Sequence, residues 1–154
     1  MDVILDWKKN MAFRGAAGSG FPLDLDADES VGGANGAARP MELIAIGLAG
    51  CTAMDVISIL KKKKQAVSDF QIKLHADGAS EHPKVFTSAV IEYIVTGREI
   101  SEAAVLRAIE LSAEKYCPAQ AMLSRAFPMR LIYKIIDEDG LSVREGEYGI
   151  KKSS

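Results

Sequence analysis

Residues 1–28 hold short apolar runs broken by Gly15, Gly18, Gly20 and Pro22, a pattern that predicts two or three antiparallel strands joined by tight turns. Leu23-Asp24-Leu25-Asp26 alternates with period two, as a strand with one wet face does. The same alternation returns over residues 69–77 and 85–96 and predicts a strand pair. Residues 129–136 read as a further strand, followed by a turn at Asp139-Gly140. The tail, from about residue 145, reads as frayed.

Between these strand regions the period changes. Pro40 suits the first position of a helix, and Glu42 puts a carboxylate in its first turn, at the positive end of the macrodipole. The pattern predicts a helix from Pro40 to Lys64, roughly 36 Å long. From Leu43 to Met54 it is apolar on every side, with Gly47, Ala49, Gly50 and Ala53 interleaved. A helix apolar all round is expected to be buried all round, and the small residues admit a close neighbour such as a second copy of the same helix. Ser101 is a good cap for a helix over residues 102–115. Pro118 ends it, because the residue before a proline avoids helical geometry, and a short helix to about Arg125 follows. The order of strands, long helix, strands, helices and strand predicts a single α+β domain over residues 1–154.

Composition narrows the function. Almost half of the 154 residues (48%) are apolar, enough for one packed core. The net charge is −2 with acids and bases well mixed, which gives no basic face for nucleic acid. The one dense run, Lys61-Lys62-Lys63-Lys64, reads as the cationic end of the long helix rather than a phosphate patch. Asp2, Asp6, Lys8 and Lys9 interrupt the apolar start, so no signal peptide is expected, and Leu43–Met54 is too short an uncharged stretch to cross a bilayer. A cytoplasmic location follows as the expectation, without membrane association. There a structural disulfide is not expected, and the two cysteines are either inert or working thiols.

Cys51, in the run GLAGCTAMDV, has the surroundings of a small core residue. Cys117 stands at the predicted N-cap before Pro118, where unpaired amides and the helix dipole are expected to lower a thiol pKa; the same position is also a plain cap. A reversible disulfide between them needs Cα atoms within about 7 Å, which sequence separation does not decide. Asp55 follows Cys51 on the same helix, with a role the pattern leaves open. His75 and His82 have no partner spacing for zinc, and no metal or bound cofactor is expected. Residues 30–39 (SVGGANGAAR) carry three glycines and three alanines, match no phosphate loop, and read as the most flexible internal segment.

Residues 39–60, from Arg39-Pro40-Met41-Glu42 through Gly50-Cys51-Thr52-Ala53-Met54-Asp55-Val56 to Ser58-Ile59-Leu60, resemble the central helix of the OsmC/Ohr family. Glu114-Lys115-Tyr116-Cys117-Pro118 resembles its second cysteine motif, and Phe13-Arg14-Gly15 fits its N-terminal strands. The likeness covers nearly the whole chain and is closer to the OsmC-like branch than to Ohr itself. It implies an intertwined homodimer with the long helices at its centre. It also implies reduction of organic hydroperoxides: Cys51 attacks and becomes a sulfenic acid, Cys117 condenses with it to a disulfide, and an external dithiol reduces that disulfide. Arg14 matches the activating arginine, with Arg39 as a weaker candidate. The chain departs from the pattern at Met41, where the family carries glutamate. Glu42, nine residues before Cys51, lies about 13 Å away along a regular helix and half a turn round it. It therefore acts from a partner chain or only steadies the helix start. Two rival readings remain beside the peroxidase: a non-catalytic dimer binding an apolar small molecule, and a redox sensor.

Overall fold

The computed structural model describes residues 1–149. The chain divides into two compact units, Met1–Ile46 and the remainder from Gly47.

The first unit carries a three-stranded antiparallel sheet in the order β1 (Val3–Lys9), β2 (Ala12–Ala17), β3 (Pro22–Leu25). Every residue of β1 is exposed, including Val3, Leu5 and Trp7. An apolar groove of about 480 Å³ runs over the unit, lined by Val3, Leu5, Phe21, Leu23, Leu25 and Leu43 among others. The glycine-rich segment expected to be the most flexible is tied to β3's end: the buried Asp26 carboxylate accepts from the backbone N–H groups of Ala27, Ala34 and Gly36. These bonds hold the Asp26 pKa below the usual carboxylate range. A Cβ on Gly33 would stand 1.9 Å from the Ala27 carbonyl oxygen, so only glycine lets the loop fold back this tightly.

Helix α1 spans Pro40–Lys62, two residues shorter than expected, with Lys61 and Lys62 in its last turn. The expectation of burial on every side fails. Leu48, Thr52, Val56 and Leu60, one turn apart, form the buried stripe, whereas Ile46 and Met54 are exposed and nothing lies near Gly47 or Gly50. A helix apolar all round with only one face covered has a second face left for another partner. The helix is long and apolar enough by composition to cross a membrane, but its buried stripe belongs to a packed core.

The second unit builds that core on a mixed sheet in the order β4 (Ala66–Gly78), β5 (Phe86–Arg98), β6 (Met129–Asp137), β7 (Val143–Tyr148). β5 runs parallel to β6 and the outer pairs are antiparallel. The parallel step needs a long crossover, which α2 (Glu102–Leu111) and α3 (Pro118–Leu123) supply. Ser101 caps α2 as expected, accepting from Ala104 N–H. Ile91, Tyr93 and Val95 of β5, Leu131 and Ile135 of β6, Val105 and Ile109 of α2 and the α1 stripe make one core. β7 overturns the frayed tail over residues 145–148: there is no room for a side chain at Gly146, whose Cβ would meet the Tyr133 hydroxyl at 2.5 Å, and the strand pairs with β6 from Leu131 to Ile136. Residues 150–154 of the expected tail lie outside the described residues.

Candidate functional site

Regular α-helix stops at Leu111, not at residue 115. Residues Ser112–Tyr116 form a π turn, in which the Cys117 N–H donates to the Ser112 carbonyl five residues back at 2.9 Å. Ser112, which opens the turn, is fully buried and spends its hydroxyl on side chains of α1. Pro118 then occupies the first position of α3, and Cys117 takes the extended conformation (φ −79°, ψ 102°) that a residue before proline prefers. Its Sγ caps α3 by accepting from Gln120 N–H at 3.3 Å, as the sequence predicts.

The fold brings Cys117 and Cys51 together. Their thiols are near enough for Cys51 to perturb the ionisation of Cys117, and both are free. Cys117 is 2% exposed, while Cys51 is half-buried. The expectation of a low thiol pKa at Cys117 is corrected. Burial raises it first, the neighbouring Cys51 thiol raises it further, and the lone amide bond from Gln120 does not offset them. A cap on a six-residue helix is too small a dipole to outweigh desolvation. The Asp55 carboxylate adds a smaller upward push.

A line of hydroxyls runs beside the two thiols. The Thr52 Oγ1 lies 2.7 Å from the Tyr93 hydroxyl and 2.9 Å from the Ser112 Oγ, and Ser112 donates to Asp55 Oδ2 at 3.1 Å. Thr52, Tyr93 and Ser112 are buried, and burial drives the Tyr93 pKa upward. The sequence reading passed over all three. A buried threonine or serine in an apolar run has no period of its own, and only tertiary contact reveals what it bonds. Gln120 was also missed: it is 2% exposed, and its amide nitrogen and oxygen find no partner among the described residues. Asp55, where the line ends, also bounds a cleft of about 430 Å³ with Ser58, Ile59, Lys62, Leu111 and Tyr116.

The other two expected site residues lie in the first unit. Arg14, on β2, makes a two-pronged ion pair with Asp24 of β3, at 2.6 and 2.8 Å. Both side chains are half-exposed, and the pair raises the arginine pKa and lowers the aspartate's. Glu42 accepts from the Arg39 N–H at 2.9 Å, the reciprocal half of a capping box, so within its unit it steadies the start of α1. The Arg39 side chain reaches Asp28 and Asn35. His75 pairs with Asp77 on the exposed side of β4.

Residues 32–131 match the family described as OsmC-like protein. Protein YhfA of Escherichia coli (strain K12) is 37% identical over 136 residues, which are 88% of this chain and 98% of that protein. A crystal structure from Aquifex aeolicus VF5 superposes with a TM-score of 0.78 at 28% identity, covering 89% of this chain and 96% of that one. An organic hydroperoxide resistance protein OsmC from Legionella pneumophila superposes at 0.64 with 18% identity, covering 88% and 96%, a likeness of fold alone.

Proposed function

The chain belongs to the OsmC-like family, and from that premise we propose that it is a thiol-dependent reductase of organic hydroperoxides. The observation that carries the reading is that the fold brings Cys51 near enough to Cys117 to perturb its thiol, with both cysteines free. Their difference in exposure assigns the order of events. The Cys51 thiolate, reachable from outside, attacks the terminal peroxide oxygen; the S–O bond forms, the O–O bond breaks, and the departing alkoxide takes a proton to leave as alcohol. The buried Cys117 thiol then attacks the Cys51 sulfenic sulfur, forming the S–S bond and expelling the hydroxyl as water with the Cys117 proton. An external dithiol opens the disulfide by exchange and carries the two electrons in. No metal or bound cofactor takes part.

Arg14 keeps the activating role that the family resemblance gives it, and its guanidinium has to leave or share Asp24 to fill it. The functional molecule in this proposal is a cytoplasmic homodimer. Supporting it are the fully exposed β1, the apolar groove of the first unit and the open face of α1 at Ile46, Gly50 and Met54. A three-stranded sheet whose Val3, Leu5 and Leu23 stand exposed needs a further surface to bury them.

The test is steady-state consumption of cumene hydroperoxide with dihydrolipoamide as reductant, with sedimentation to give the assembly. The proposal expects a dimer, turnover by the wild type, and none by Cys51→Ser. Peroxide consumption that survives this substitution would remove the reading.

A further inference from the structure

The hydroxyls beside the thiols have a definite direction. An ionised Asp55 only accepts, so Ser112 commits its single proton to Asp55 Oδ2. The Ser112 Oγ can then only accept from Thr52, and Thr52 Oγ1 in turn can only accept from Tyr93. The line therefore reads Tyr93 to Thr52 to Ser112 to Asp55 and ends on a charge, an arrangement in which each bond polarises the next. Its placement matters as much as its direction. Thr52 is the residue after Cys51 on α1. Ser112 opens the π turn, and its carbonyl takes the Cys117 N–H. Tyr93 anchors the line in the middle of β5, and Asp55 lies one turn beyond Cys51 on α1. The Thr52–Ser112 bond is thus a cross-link between the two segments that carry the thiols.

We propose that this relay is the positioning device of the thiol pair: it clamps the Cys51 helix to the Cys117 turn and sets how fast Cys117 condenses with oxidised Cys51. Thr52 and Ser112 act through the cysteines and touch no substrate. The first oxidation, at Cys51 alone, does not depend on the clamp. The second step, which needs both sulfurs aligned, does, because a loosened pair spends less time in reacting geometry. The proposal rests on the two-thiol reading above.

Thr52→Val keeps the shape of the side chain and removes its hydroxyl, whereas Thr52→Ser keeps the hydroxyl. Reduced protein is mixed with one equivalent of cumene hydroperoxide, the sulfenic acid is trapped with dimedone at timed intervals, and the sulfenic and disulfide fractions are read by mass. Thr52→Val is expected to form sulfenic acid at close to the wild-type rate and to condense about tenfold more slowly, the effect of one lost alignment bond. Thr52→Ser is expected to restore condensation. Condensation by Thr52→Val at the wild-type rate overturns the clamp. Should Thr52→Val fail to fold, Ser112→Ala cuts the same bond and carries the same expectation. If the wild type forms no sulfenic acid, the peroxidase reading falls, and the clamp is then judged by equilibrating the Cys51–Cys117 disulfide with a glutathione buffer. An equilibrium shifted about tenfold toward the dithiol in Thr52→Val supports the clamp, and an unshifted one overturns it.

Discussion

Around Cys51 the chain is a regular helix with small neighbours, open space at Gly47 and Gly50, and an exposed Met54. Around Cys117 it is a π turn, a proline and a short helix, with the thiol sealed, its amide bonded to Ser112 and its sulfur bonded to Gln120 N–H. The two sulfurs meet, yet one is held by a segment that leaves access and the other by a segment that denies it. A two-step thiol reaction needs that asymmetry. The attacker has to be reached by a bulky peroxide, while the resolver has to stay a protonated thiol, shielded from the same oxidant, until a sulfenic acid stands beside it.

The largest expected effect separates the two thiols by deletion. Cys51→Ser is expected to lower hydroperoxide turnover at least about a thousandfold, as loss of a nucleophile does. Cys117→Ser is expected to keep the first oxidation and to accumulate a dimedone-reactive sulfenic acid, seen by mass. Equal loss of the first step in both variants would break the contrast. Next in size is access: iodoacetamide at pH 8 is expected to alkylate Cys51 at least about tenfold faster than Cys117, with peptide mapping as the readout.

A subtler effect follows from the raised Cys117 pKa. Above the ordinary thiol value of 9.0 the unfolded chain gives up this proton while the folded chain keeps it. The unfolded state then binds fewer protons, and stability falls as pH rises, by at most about 1.4 kcal/mol per pH unit from this group. Below pH 9 the contribution is intact. Urea titrations at pH 8, 9 and 10 of the wild type and Cys117→Ala are expected to diverge only above pH 9, with the wild type the steeper; parallel curves would mean the thiol ionises as freely as in water. The smallest effect concerns Gln120. Removing its unpartnered buried amide by Gln120→Met is expected to raise stability by about 1 kcal/mol in thermal unfolding, and destabilisation would mean that the amide has a partner in the assembled protein.

What could be read from the sequence follows the reach of each physical signal. Period-two alternation located β4 and β5, and Pro40 with Glu42 located the start of α1, because strand faces and helix caps are local. Pro118 likewise marked Cys117 as the cap of α3. β7 escaped because VREGEY is polar and holds its place by pairing with β6 around Gly146. The π turn escaped because no local signal marks it, and Ser112, which opens it, bonds to Thr52 far away in the chain. Cys117 was misjudged for the same reason: the cap was visible in sequence, but the burial that outweighs it was not. α1 shows the reverse case: its all-round apolar composition predicted burial on every side, and the chain covers only the stripe of Leu48, Thr52, Val56 and Leu60.

The most direct test digests the protein after one equivalent of cumene hydroperoxide, without reductant, and maps its cross-linked peptides by mass. The expected product is a single species about 2 Da lighter than the two reduced peptides combined, joining the segment of Cys51 to that of Cys117 within one chain. Recovery of both cysteines as unlinked thiols, or linked only to the same residue of another chain, would contradict the account.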